Sequence, residues 1–93
     1  METLRQIAND NFRTGDNSII ASMTVMRNKL INNLENQKSI STGDIQDLDR
    51  IGRFSVAQSM FSKCDSDAQK YLLTDEHAHV RSTAANAKNR LIN

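Results

Sequence analysis

The chain has no proline and no tryptophan, and its 93 residues include only three glycines, one cysteine, one tyrosine and three phenylalanines. A single cysteine excludes an internal disulfide, so the chain does not belong to the small secreted disulfide scaffolds. The scarcity of helix-breaking residues, together with frequent Ala, Leu, Ile, Met, Gln and Arg, favours helix. The composition therefore predicts an all-α protein.

A charge excess of one sign and long apolar runs are also missing. Twelve basic residues face eleven acidic ones, for a net charge of +1. This balance removes the bulk attraction to nucleic acid or to an anionic membrane. Glu2 and further polar residues interrupt the N-terminal region, which offers no export signal or membrane span. We expect a soluble, cytoplasmic protein without a membrane partner, and a single helical domain over residues 1–93 with no deep active site.

A short pattern recurs along the chain. It begins at Arg53 as RFSVAQS and returns at Arg81 as RSTAANA, with an Asp six positions ahead of each Arg, at Asp47 and Asp75. A weaker copy begins at Arg27 and lacks the Asp. A repeat of this length is typical of stacked helical units, which usually present a surface to a partner.

Apolar spacing predicts about five helices. A short helix over residues 2–12 is followed by a longer one over 18–36. A third segment, 44–62, is one helix or two, because it contains Gly52. A short helix through Leu72 and a final helix complete the chain.

Two helix starts carry capping signals. Ser41 and Asp44 have the spacing of a capping box, and Thr74 is placed to cap the final helix, with Asp75 and Glu76 in its first turn. The buried stripe of that helix is predicted to be Val80, Ala84, Ala87 and Leu91.

Residues 71–91 resemble a short HEAT-like repeat, or the related leucine-rich variant repeat. The matching positions are Leu72, Leu73, Asp75, Val80, Arg81, Ala84, Ala85 and Leu91. Residues 45–61 resemble the pattern less closely, since Gly52 replaces its Val. The resemblance covers about the last half of the chain and implies two or three stacked helical hairpins with a shallow concave face.

The arginines of the pattern have two interpretations. Arg27, Arg53 and Arg81 either form a basic row that binds an acidic partner or phosphates, or they pair between repeats with Asp47, Asp75 and backbone carbonyls. We expect the pairing, because a partly buried Arg needs such partners.

One flank of the final helix is the candidate partner-binding surface. A helical turn of about 100° per residue places His77, Arg81 and Lys88 on the same side, and Arg53 is added as a further contact. The other interpretation of this flank is a solvated helix surface without a function.

Other chemistries have weaker signals. His77 and His79 point about 200° apart on a helix, so a metal site is not expected. Cys64 lacks the signature of a catalytic nucleophile, and no cofactor motif is present. Met23, Met26 and Met60 form either core or an adaptable groove, and their register favours core.

These observations predict a non-enzymatic protein-interaction module, such as a small inhibitor or adaptor that docks on a larger protein machine. The alternative is a nucleic-acid-associated regulator that uses a basic flank formed by Arg81, Lys88 and Arg90, with Arg53 as a further contact. Because three units are near the minimum for a stable stack, a homodimer formed through one end of the stack is a further hypothesis.

Overall fold

A computed structural model of the protein describes residues 3–10 and 17–92, with side chains for 3–8 and 19–91. This part of the chain is helical and contains no strand, only an isolated bridge between Ile40 and Cys64. The all-α prediction is therefore confirmed. The helices are α1 (Leu4–Asp10), α2 (Asn17–Glu35), α3 (Thr42–Ile45), α4 (Arg50–Ser59), a 3₁₀ turn (Phe61–Lys63), α5 (Ser66–Leu73) and α6 (Ala78–Ile92).

The short helices pack on the long helices that follow them. Helix α1 contacts α2, α3 contacts α4, and α5 contacts α6, while α4 lies between α2 and α6. The core comes from all of these elements and is built from aliphatic side chains with few aromatic ones. Its largest fully buried apolar side chains are those of Leu4, Ile40, Ile45, Leu48, Val56, Leu72 and Val80.

The segment predicted as one helix or two divides into α3 and α4. The break lies at residues 46–49 and not at Gly52, which belongs to the first turn of α4. Asp49 causes the new start, because its Oδ1 accepts a hydrogen bond from the Gly52 amide at 2.9 Å. Gly52 is needed for close approach: a Cβ there would lie 3.1 Å from the Leu48 Cβ.

The capping box at α3 is confirmed, with the Ser41 amide donating to Asp44 Oδ2 at 2.9 Å. The prediction that Thr74 caps the final helix is wrong. Its hydroxyl donates to the carbonyl of Lys70 at 2.8 Å and so ends α5. Helix α6 begins only at Ala78. The Asp75 carboxylate accepts a hydrogen bond from the amide of His77, the residue just before this helix.

The buried stripe of α6 is confirmed at Val80, Ala84 and Ala87 and is wrong at Leu91, which is 55% exposed. Residues 88–91 of α6 are all exposed, so the last described turn of this helix has little to pack against. The methionine row belongs to the core, as its register indicates: Met60 is buried, and Met23 and Met26 pack against the buried residues. Residues 2, 11 and 12 of the predicted first helix lie outside the described residues.

Two ion pairs, one buried and one partly buried, join consecutive long helices. Arg53 of α4 donates from Nε to Asp75 Oδ2 at 2.8 Å, and the two side chains are only 1% and 2% exposed. Arg27 of α2 donates from Nε and Nη2 to the Asp49 carboxylate just before α4. The partner is 22 residues downstream in both pairs. Pairing is therefore confirmed for these arginines, and Arg27 belongs to the repeated pattern.

The prediction that Asp47 pairs with one of these arginines is wrong. Asp47 is exposed, and its backbone carbonyl accepts a hydrogen bond from the Arg5 amide at 2.9 Å. Asp49 replaces it because Asp49 lies next to α4, where its carboxylate reaches both the Gly52 amide and the Arg27 guanidinium.

We expect Arg53→Met to lower the free energy of unfolding by about 3–5 kcal/mol, measured by urea denaturation. Methionine keeps the apolar stem but leaves the Asp75 carboxylate buried without its cation.

The matched control is Asp47→Asn, which should change the stability by less than about 0.5 kcal/mol because that carboxylate is in solvent. Asp75→Asn should be clearly more destabilising than Asp47→Asn. Equal effects of the two Asp variants would contradict the pairing described above.

Candidate functional site

The predicted contact residues do not form one surface. Arg53 is 1% exposed, with Nε on Asp75 and Nη1 on the Leu48 carbonyl at 2.7 Å. A side chain buried and hydrogen-bonded in this way is not accessible to a partner. The prediction that Arg53 contacts a partner is therefore wrong. Its role is structural, because it connects α4 to the start of α6.

The other three predicted contacts, His77, Arg81 and Lys88, are at least partly exposed. Arg81 and Lys88 occupy one flank of α6, whereas His77 lies in the turn before that helix. We call Arg81 and Lys88 the cationic flank. Arg81 donates from Nη1 to the Asp75 carbonyl at 2.6 Å, which fixes the base of its guanidinium. His77 has its ring Nε2 3.9 Å from Glu76 Oε1.

Glu76 connects this region to the N-terminal helix. Its Oε1 accepts from Arg5 Nη2 at 2.6 Å, and the hydrogen bond and charge of Arg5 lower the pKa of the Glu76 carboxyl. Arg5 also donates to the Tyr71 hydroxyl at 2.6 Å and to the Gln46 carbonyl at 2.9 Å. The start of α1 is thereby held against the turns that precede α4 and α6.

A second surface, not identified from the sequence, lies on the opposite flank of α6. The His79 ring stacks on Phe54 of α4, with ring centroids 4.7 Å apart and planes inclined by 24°. Ile51 is 49% exposed, and with Arg50 these side chains line a shallow depression of about 380 Å³. We call Arg50, Ile51, Phe54 and His79 the α4–α6 patch.

One sequence signal for this patch was available. Ile51 and Phe54 are three residues apart, so they share one face of α4, and this face differs from the one that carries Val56 and Met60. Residue spacing could not predict that His79 stacks on Phe54, because only the packing of α6 on α4 brings the two rings together.

Cys64 is buried and donates weakly from Sγ to the Met60 carbonyl at 3.6 Å. Burial is the main cause that raises its pKa to about 11, and the nearby charge of Asp65 adds to the effect. A catalytic thiol requires the opposite shift, toward the thiolate. The position of Cys64 therefore favours a structural thiol.

Among the residues that the structure describes, no group of three or more His, Cys, Asp or Glu side chains is placed to hold a metal ion. In the same part of the chain, no helix has the length and apolar character needed to cross a bilayer.

Because its pKa is raised to about 11, we expect Cys64 to react slowly with iodoacetamide in the native protein at pH 8. At that pH only roughly one thiol in a thousand is ionised, and burial restricts access further. The alkylation rate should rise strongly in unfolding concentrations of urea. A native rate equal to that of the unfolded chain would contradict this assignment, and Cys64→Ser provides the unreactive control.

Comparison of the chain with protein-family models, with curated proteins and with solved structures found no match. The resemblance to HEAT-like repeats therefore stays a prediction.

Proposed function

We propose that this chain is a non-enzymatic protein-binding module, a small inhibitor or adaptor that acts by occupying the surface of a larger protein. The observation that carries the proposal is the α4–α6 patch. Half-exposed Ile51 lies beside the Phe54 and His79 rings, and Arg50 lies at the edge. Aromatic and arginine side chains around a small apolar centre are the types that contribute most to protein–protein binding.

The support under the patch favours a binding role. Phe54 packs against the buried core, and α6 makes its most extensive contact with α4. The rings are therefore held before any partner arrives. A preformed contact surface avoids part of the ordering cost of association, which a mobile loop would have to meet on binding.

The cationic flank adds a second surface of different chemistry. Arg81 and Lys88 lie on the side of α6 away from His79, because they are two and nine positions further along the helix and each position turns it by about 100°. The flank suits an acidic partner surface, and charged contacts of this kind mainly set specificity and the rate of association. A homodimer stays a further proposal.

A nucleic-acid-associated regulator is the second candidate. The specific observation in its favour is the charge of α6, whose fifteen residues include Arg81, Lys88 and Arg90 and no Asp or Glu. Against it, the whole chain has a net charge of only +1. A dedicated nucleic-acid binder normally has a larger excess of positive charge.

To test the protein-binding proposal, the tagged chain is expressed in its native cell and captured, and the co-purified proteins are quantified by mass spectrometry. Ile51→Asp should lose a dedicated partner by tenfold or more, because a carboxylate in the patch would be desolvated on binding.

The matched control is Leu91→Asp. Leu91 is also about half exposed but lies on the last turn of α6, outside the patch. It should keep the partner, and circular dichroism should show both variants folded. Two results would contradict the proposal: recovery of only ribosomal background with the wild type, or capture of the partner by Ile51→Asp at the wild-type level.

Salt titration separates the two candidates. Binding of the purified chain to a fluorescent duplex DNA and to an RNA is measured from 50 to 200 mM NaCl. Arg90 lies on the opposite side of α6 from Arg81, at about 100° per residue, so one surface offers Arg81 and Lys88. If the alternative holds, two phosphate contacts give a slope of about −2 in log affinity against log salt, by the general value of about −0.9 per contact. Because we propose a protein partner, we expect the chain to show no measurable binding to the DNA or the RNA at 200 mM NaCl.

A further inference from the structure

Arg53 and Arg81 are held in the same way by their own units. Each donates from Nη1 to a backbone carbonyl in the turn before its helix: Arg53 to Leu48 at 2.7 Å and Arg81 to Asp75 at 2.6 Å. This contact anchors one side of the guanidinium. The remaining N–H groups of each arginine are then free to bind a partner outside the unit.

The two arginines differ in what faces those groups. Arg53 donates from Nε to the Asp75 carboxylate. In the same way, Arg27 donates from Nε and Nη2 to the Asp49 carboxylate. Among the side chains that the structure describes, those of residues 3–8 and 19–91, no carboxylate lies within ion-pair distance of Arg81. The series of arginines therefore has two members with a carboxylate and a third without one.

The two carboxylates in the turn before α6, Asp75 and Glu76, are already engaged. Asp75 Oδ2 accepts from Arg53, and its Oδ1 accepts from the His77 amide at 2.9 Å. Glu76 Oε1 accepts from Arg5 at 2.6 Å. Helix α6 itself contains no Asp or Glu, so the cationic flank has no compensating charge on its own element.

The internal pairs show which chemistry fits. Asp49 binds Arg27 while its Oδ1 accepts from the Gly52 amide, and Asp75 binds Arg53 while its Oδ1 accepts from the His77 amide. In both pairs the carboxylate sits beside a helix start, where backbone amides fix its orientation. A carboxylate oriented in this way loses little freedom when it meets an arginine.

We propose that the cationic flank binds a partner protein through an aspartate at the start of a helix, whose carboxylate accepts from Nε and Nη2 of Arg81. Lys88 favours further acidic groups on the same partner surface. The inference relies on the proposed protein-binding role and concerns a different surface from the α4–α6 patch. A second copy docked about a two-fold axis would place α6 against α6, and its cations would repel.

The test uses a zero-length carbodiimide, which joins an amine to a carboxylate that it touches. The tagged full chain is expressed in its native cell, the lysate is treated with nuclease, and cross-linked peptides are identified by mass spectrometry. Arg81→Lys supplies an amine at the critical position. We expect position 81 in this variant to be cross-linked to an Asp or Glu of one partner protein, and native Lys88 to be cross-linked to the same surface.

Charge reversal gives the quantitative arm. Arg81→Glu should reduce capture of that partner at least tenfold. Arg90→Glu makes the same change in charge on the same helix, but nine residues further along, on the opposite side by a turn of about 100° per residue. It should leave capture within about twofold of wild type, since a distant rim charge contributes little.

Several outcomes would overturn the inference. Equal loss in Arg81→Glu and Arg90→Glu would indicate a general charge effect, and loss of capture after nuclease would indicate nucleic acid as the occupant. Absence of any cross-link from position 81 would also reject it. If Ile51→Asp abolishes capture while Arg81→Glu does not, this inference fails and the proposed protein-binding function stands.

Discussion

The buried ion pair between Arg53 and Asp75 is the constraint on which the arrangement of α4 and α6 depends. Taking two charges out of water is costly, so the pair is stable only where short, well-directed hydrogen bonds replace the lost hydration. Here Asp75 accepts from Arg53 and from the His77 amide, while Arg53 also donates to Leu48. Moving α6 would leave both charges buried without these partners. The pair therefore sets the start of α6.

The same principle explains why three similar arginines have different roles. Arg27 pairs with Asp49 and Arg53 pairs with Asp75, and each of these Asp residues lies just before the next long helix. Each arginine therefore joins two long helices. Arg81 has the same anchoring carbonyl contact but no carboxylate beside it within the described residues. A similar local pattern therefore yields two arginines that pair with carboxylates between helices and a solvent-accessible cation on the last described helix.

Helix α6 has two exposed flanks with different chemistry. One carries His79 stacked on Phe54 and offers apolar contact area, and the other carries Arg81 and offers charge. Val80 and Ala84, between them, face the core and keep the helix in place. A small domain of this kind can bring an apolar and a charged contact to a partner with one rigid element, which supports a role in protein binding.

The sequence by itself determined the helical class, the capping box at Ser41 and the buried register of Val80, because these depend on residues within one or two helical turns. Only the tertiary structure decided that Arg27 pairs with Asp49, and that Ile51 stays exposed beside two stacked rings. A spacing of six residues favoured Asp47 as a partner, but side chains pair by distance in space. That distance depends on how whole helices pack, which local periodicity does not encode.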